Sequence, residues 1–233
     1  MSVPVATRRS AAPLSRWVVP GLLLWAVGLG IGWFATARGA AADGELALDQ
    51  ALGAHRSLLG TAIGRFFDLA TGPQVAPVLL LVVAGLLWWR RRHETALLLL
   101  GLTGVGWVSV ALAKMLIARP RPPHDLVHAM SLETSPDSFP SGHVAFAAAL
   151  LATVVLIAHR RGHPVGRLLL VGVPVVLLDA WARLYWGVHY LADVVAAPLL
   201  ACGTVLLLAP LATAVVPRAV GLTPSWLGGP RRS

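Results

Sequence analysis

Six apolar stretches set the plan of this chain: residues 17–37, 73–89, 95–118, 143–158, 165–182 and 190–216. Each is rich in Leu, Val, Ala and Gly and lacks the alternation of a barrel strand. Each therefore reads as a membrane-crossing helix, which needs about 20 residues. The fourth is the shortest of the six. Pro77, Pro174 and Pro210 fall inside these segments and are tolerated where neighbouring helices take up the freed carbonyls. Gly28, Gly30 and Gly32 offer close helix approach, and Trp17, Trp33, Trp88, Trp89 and Trp186 cluster at span ends as an interfacial belt does. Between the first two spans, Leu46, Leu48, Leu52, Leu58, Leu59, Ile63, Phe66 and Phe67 are interleaved with Asp49, His55, Arg56 and Arg65. That pattern predicts one or two amphipathic helices at the interface. Such a segment serves either as packing or as a guide for a lipid substrate. The expected fold is all-α: a polytopic six-helix transmembrane bundle with an interfacial helical segment between the first and second spans. It forms one domain, 17–216, between cytoplasmic tails at 1–16 and 217–233.

Composition agrees with a bilayer as the solvent. Charged residues make up 12% of the chain and the mean hydropathy is +0.74, about half the charge of a soluble domain. This excludes an ordinary cytosolic enzyme and a disordered chain. A net charge of +9 raises the question of nucleic acid, but the placement of the cations answers it. Arg8, Arg9, Arg16, Arg90, Arg91, Arg92, Arg160, Arg161, Arg167, Arg218, Arg231 and Arg232 all flank spans on one face, 12 of the 19 Lys and Arg residues. That face is expected to be cytoplasmic, with no nucleic-acid partner, in an inner (plasma) membrane. A cleaved signal peptide ending at Ala35-Thr36-Ala37 is a second reading of the start, although the apolar stretch exceeds the usual 7–15 residues. The lone cysteine, Cys202, allows no intramolecular disulfide and reads as a packing residue.

Three polar groupings stand out near the outer ends of the last four spans. Lys114 lies in the last turn of the third, ahead of Arg119-Pro120-Arg121-Pro122, where the prolines stop the helix. A lysine in a span needs a polar cavity or a partner. Phe139-Pro140-Ser141-Gly142-His143 opens the fourth span. Ser141 is suited to cap that helix, Gly142 permits close backbone approach, and the free N–H groups point at an anion. Arg183, His189 and Asp193 complete the set. On a helix, positions i and i+4 share a face, so Asp193 accepts a proton from one nitrogen of His189 and leaves the other as nucleophile or base. Three cations, a helix N-terminus, two histidines and an orienting carboxylate form a kit for holding a phosphate and transferring it.

The stretches Lys114-x6-Arg121-Pro122, Pro140-Ser141-Gly142-His143 and Arg183-x5-His189-x3-Asp193 resemble the three signature motifs of the type 2 phosphatidic acid phosphatase (PAP2) superfamily. They cover residues 114–193 in the family's order, about a third of the chain. Ala182 departs from the pattern, because family members often carry Ser there. The resemblance implies a two-step displacement. His189 attacks phosphorus to give a phosphohistidine, with Asp193 orienting it. His143 protonates the leaving lipid oxygen and then activates water, while Lys114, Arg121, Arg183, Ser141 and the Gly142 N–H bind the phosphate oxygens. It further implies a membrane lipid phosphatase acting at the extracytoplasmic face, with polyprenyl diphosphate such as undecaprenyl diphosphate the preferred substrate. Phosphatidic acid, phosphatidylglycerophosphate and a lipid phosphotransferase remain alternatives.

No cofactor and no metal are expected, because the cations repel Mg²⁺ and only Asp193 is a carboxylate close to the histidines in sequence. From a different class, a proton-coupled transporter accounts for His189 and Asp193 but leaves the three cations and the Ser141–His143 turn without a purpose. Two supporting residues are assigned. Asp179, four residues before Arg183, is expected to buttress it through a partly buried ion pair. Arg119 is expected either to touch a headgroup or to belong to a solvated basic loop. His124 and His128 read as surface residues. The sequence leaves the oligomeric state open.

Overall fold

The computed structural model describes residues 15–133 and 135–222, and among these the regular structure is helical. The elements are α1 (Ser15–Arg38), α2 (Glu45–Ala54), α3 (Leu58–Ala70), α4 (Ala76–Trp89), α5 (His93–Leu116), α6 (His124–Val127), α7 (Gly142–Arg160), α8 (Gly166–Tyr185) and α9 (Leu191–Leu222). Of these α1, α5, α7, α8 and α9 are long and apolar enough to cross a membrane. The second expected span is shorter than the sequence implies. Helix α4 has 14 residues, roughly 21 Å of helix against about 30 Å of hydrocarbon. Residues 73–75 belong instead to the turn that precedes it, where Ala76 N donates to Gly72 O at 2.9 Å. The fourth span, expected to be the shortest, runs for 19 residues. Most of the tails at 1–16 and 217–233 lies outside the described residues. Ser15 and Arg16 begin α1, and residues 217–222 continue α9.

Helix α9 is the axis of the bundle, with α1, α5 and α7 packed along it; α8 lies on α7, α4 on α5, and α3 against α8. The core is built from Leu102, Phe139, Val144, Leu200 and Ala201. Leu22, Leu81, Val108, Leu170 and Leu177 point outward, the side on which a helix in hydrocarbon is free to be apolar. Two side-chain hydrogen bonds tie three helices: Trp25 Nε1 donates to Thr204 Oγ1 at 2.9 Å, and Thr204 Oγ1 to Ser109 Oγ at 2.8 Å. Of Gly28, Gly30 and Gly32 on α1, two permit contact. A Cβ at Gly28 would lie 2.9 Å from Leu200, and one at Gly32 would lie 2.3 Å from the Phe139 ring, whereas Gly30 meets nothing within 4 Å. The segment between α1 and α4 forms two helices, α2 and α3, with its more amphipathic stretch in α3. Trp33 and Trp89 are exposed, as a belt requires. Trp186 is buried and donates to Ser131 Oγ at 3.1 Å, so it packs a loop instead of facing an interface.

Candidate active site

The chain reversals at one end of the bundle bring together the ends of α5, α7, α8 and α9, with α2 and α3 beside them. After α5 the prolines end helical hydrogen bonding, and the chain folds back on itself. Ser138 N donates to Arg119 O at 2.7 Å and its hydroxyl reaches the carbonyls of Arg119 and Pro120. This loop aims two cations at one place. Lys114 Nζ donates to the Asp137 carbonyl at 2.9 Å. Arg121 is held through Nε to Ser135 O (2.7 Å) and through Nη1 to Val188 O (2.8 Å), and Nη1 lies 3.5 Å from His189 Nε2.

His189 follows a tight turn at Gly187, where φ is +75° and an added Cβ would lie 3.1 Å from the Ala129 Cα. The left-handed backbone and the crowding both favour glycine. His189 precedes α9 instead of lying on it, so the helical i, i+4 argument does not apply. The helix cap brings the two residues together instead. Asp193 Oδ2 accepts from Tyr190 N at 2.9 Å, folding the chain so that His189 Nδ1 faces the same oxygen at 3.5 Å. Burial pushes His189 down to about 3, with Arg121 and Arg183 adding to the effect and Asp193 opposing it. The ring is thus neutral near pH 7.

Ser141 is the N-terminal boundary of α7, but its side chain does not cap the helix. The hydroxyl is buried and without a hydrogen-bond partner, and the residue is anchored by its own N–H to the Asp193 carbonyl at 3.1 Å. At Gly142 an added Cβ would find its nearest neighbour, Trp107 Nε1, at 3.8 Å, so there is room beside the helix start. His143 Nε2 lies 3.3 Å from the Asp68 carbonyl and 3.9 Å from Asp68 Oδ1. Arg183, His189 and Arg121 all act on His143 electrostatically.

Two supporting assignments need correction. Arg183 does not pair with Asp179. Its Nη1 donates to Asp68 Oδ1 at 2.7 Å and its Nη2 to Glu133 Oε1 at 3.1 Å, so both ends of the guanidinium already hold carboxylates. Asp179 Oδ1 accepts from Thr71 Oγ1 at 3.3 Å. Arg119 neither reaches a headgroup nor belongs to a solvated loop. It is 2% exposed, bonded to Asp193 Oδ1 at 2.9 Å and to Glu45, with Tyr190 under its guanidinium. His124 and His128 are at the surface, as expected.

Sequence reasoning missed Asp68 and Glu45 and gave Asp49 only a place among the polar positions of its segment; all three lie on α2 and α3. The signal was there: acidic residues number only 10 in the whole chain, and each one near a membrane requires a reason. Asp49 is 1% exposed with neither carboxylate oxygen bonded. Burial, then Asp193 and Glu45, push it up to about 8. Among the described residues, no group of three or more His, Cys, Asp or Glu side chains is arranged to hold a metal ion.

The family model of the PAP2 superfamily matches residues 94–216, which include all three polar groupings. The chain belongs to the PAP2 superfamily. It is a phosphatase-class hydrolase with a multi-pass membrane fold. The fold is similar to the crystal structure of a transmembrane PAP2-type phosphatidylglycerolphosphate phosphatase from Bacillus subtilis. The TM-score is 0.66 and the identity 19%, over 85% of this chain and 96% of that one. No curated protein matches the sequence. The region matched by the family model begins in α5, so Glu45, Asp49 and Asp68 of this PAP2 protein lie outside it, while the structural similarity extends over 85% of the chain.

Proposed function

We propose that this PAP2 protein removes phosphate from a membrane lipid phosphate or diphosphate at the extracytoplasmic face through a phosphohistidine at His189. The observation that carries the reading is the surroundings of one ring. Nε2 of His189 lies 3.5 Å from Arg121 Nη1, while Nδ1 faces Asp193 Oδ2 at 3.5 Å. A neutral imidazole with its Nδ1 proton held toward a carboxylate presents Nε2 as the nucleophile.

In the first step Nε2 forms a bond to phosphorus as the phosphorus–oxygen bond to the lipid breaks, and His143 gives its proton to the departing oxygen. In the second, His143 takes a proton from water, whose oxygen bonds to phosphorus as the phosphorus–nitrogen bond breaks and phosphate leaves. Lys114, Arg121 and Arg183 supply charge to the non-bridging oxygens. The unpartnered Ser141 hydroxyl and the first N–H groups of α7 supply hydrogen bonds. Asp68 and Glu133 give way when phosphate takes Arg183.

An apolar groove of about 490 Å³ between α7 and α8 starts beside Thr71 and Phe146, one turn from His143. It supports a substrate whose tail lies among the helices. Within the lipid class the polyprenyl diphosphates are preferred, since an outward-facing site on a compact chain suits recycling of a carrier lipid. The test is phosphate release in detergent micelles from polyprenyl diphosphate, phosphatidic acid and phosphatidylglycerophosphate, wild type against His189→Ala. Release by wild type alone, fastest from the diphosphate, is the expected result. Equal release by His189→Ala overturns the mechanism, and preference for another lipid overturns the substrate assignment.

A further inference from the structure

We propose that Arg119 and Glu45 are positioning residues for the His189–Asp193 pair, an arm through which α2 fixes the direction of the nucleophile. The inference rests on the reading of His189 given above. It starts from how completely the Asp193 carboxylate is committed. Oδ2 accepts from Tyr190 N at 2.9 Å and faces His189 Nδ1, while Oδ1 accepts from Arg119 Nη1 at 2.9 Å. A carboxylate bonded at only one oxygen can rotate about its last torsion. One bonded at both presents a fixed oxygen to its partner, and here that partner is the imidazole.

Arg119 is itself fixed on the far side. Its Nη2 bonds Glu45, and its Cζ lies 4.5 Å from the centre of the Tyr190 ring. Glu45 does two things at once, because its other oxygen accepts from Ala192 N at 2.5 Å. The first N–H groups of a helix lack intrahelical partners and favour negative charge, so Glu45 completes the start of α9 from a helix 147 positions away in sequence. Glu45 and Arg119 therefore hold both the start of α9 and the carboxylate that this helix carries.

Neither residue is placed to bind phosphate. The Arg119 and Glu45 side chains are 3% and 9% exposed, and Arg119 reaches Asp193 at the oxygen not shared with His189. Arg121 and Arg183 instead lie close enough to both imidazoles to act on them electrostatically. A buried guanidinium between two carboxylates is also strongly held: burial alone lowers its proton affinity, but Glu45 and Asp193 outweigh that and raise it.

The experiment compares purified full-length wild type, Glu45→Gln, Glu45→Asp, Arg119→Lys, Arg119→Met and His189→Ala in detergent, with lipid phosphate as substrate. Folded protein is quantified for each. Glu45→Gln keeps the shape and removes the charge; Arg119→Lys keeps the charge and removes the planar fork. We expect kcat per folded molecule to fall about 10–100-fold in both, the scale seen when a partner of a site ligand is lost, with KM within about two-fold. Loss in kcat without loss in KM marks an interaction realised in the transition state. Glu45→Asp should recover part of the kcat lost in Glu45→Gln. Arg119→Met should lower kcat at least as far as Arg119→Lys, because Asp193 Oδ1 then loses its partner. Asp125→Asn, at a fully exposed site on α6, should keep the wild-type kcat.

If Glu45→Gln and Arg119→Lys retain the wild-type kcat, or lose activity only in proportion to folded protein, the inference is overturned while the phosphatase reading stands. An inactive wild type, or an active His189→Ala, overturns both.

Discussion

Asp68→Asn provides a direct measure of how Arg183 is held. The Asp68 carboxylate lies 2.7 Å from Arg183 Nη1, on the guanidinium proposed above to bind phosphate. Each binding event therefore includes breaking this ion pair. A hydrogen bond to a charged group contributes about 1.5–3 kcal/mol. The Asp68 side chain is 29% exposed, and solvent screening brings the effective figure to about 1 kcal/mol. Asparagine keeps the size and the backbone carbonyl near His143 but removes the charge that competes with phosphate. Inhibition by orthovanadate, which mimics five-coordinate phosphorus, should then tighten about five-fold, with a parallel fall in KM for the lipid phosphate. The assay is a vanadate titration of phosphate release in micelles at fixed ionic strength. Weaker vanadate binding, or a raised KM, would show that Asp68 aligns Arg183 for the substrate and does not compete with it, and the reasoning would fail.

Asp49→Asn tests the buried carboxyl on α2. Its pKa in the folded protein, about 8, lies above the ordinary 3.8. Its contribution to stability is therefore complete below about pH 4 and is lost as pH rises toward 8. The variant should gain Tm over wild type across that window, about 2–4 °C for each kcal/mol recovered; a gain independent of pH would refute the assignment. Gly32→Ala places a methyl 2.3 Å from the fully buried Phe139 ring and should cost about 1–3 kcal/mol by overpacking. An unchanged Tm would show that α1 and the loop before α7 are not in tight contact. Phosphate release should persist in EDTA, since the mechanism proposed above draws its charge and proton transfers from three cations and two histidines; complete loss in EDTA, restored by Mg²⁺, would contradict this.

The apolar segments were legible because a bilayer imposes length and composition on any helix that crosses it. The exception, α4, was over-read at its start, where Pro73 to Val75 are compatible with a span by composition but fold as a turn. The three polar groupings were legible as groupings. Their internal geometry was less so: the His189–Asp193 spacing suits a helix, yet the juxtaposition comes from the turn that caps one. Arg119 looked like a loop residue because its partners, Glu45 and Asp193, each lie 74 positions away. Asp68 was invisible for the same reason, 115 positions from Arg183. Local spacing cannot report pairings at such separations. Asp179 illustrates the opposite error: its position four residues before Arg183 is correct for an ion pair, but stronger partners from other segments take the arginine.

Three oxygens of Asp193 each hold a different strand of the site together: one carboxylate oxygen to the loop after α5, the other to the turn before α9, and the carbonyl to Ser141. Replacing this side chain, an obvious choice for an inactive variant, removes the proposed partner of His189 and two staples in one stroke. An inactive protein from that substitution is consequently ambiguous between lost chemistry and a loosened scaffold. His189→Ala, whose ring makes fewer such ties, is the cleaner inactive control for trapping bound lipid.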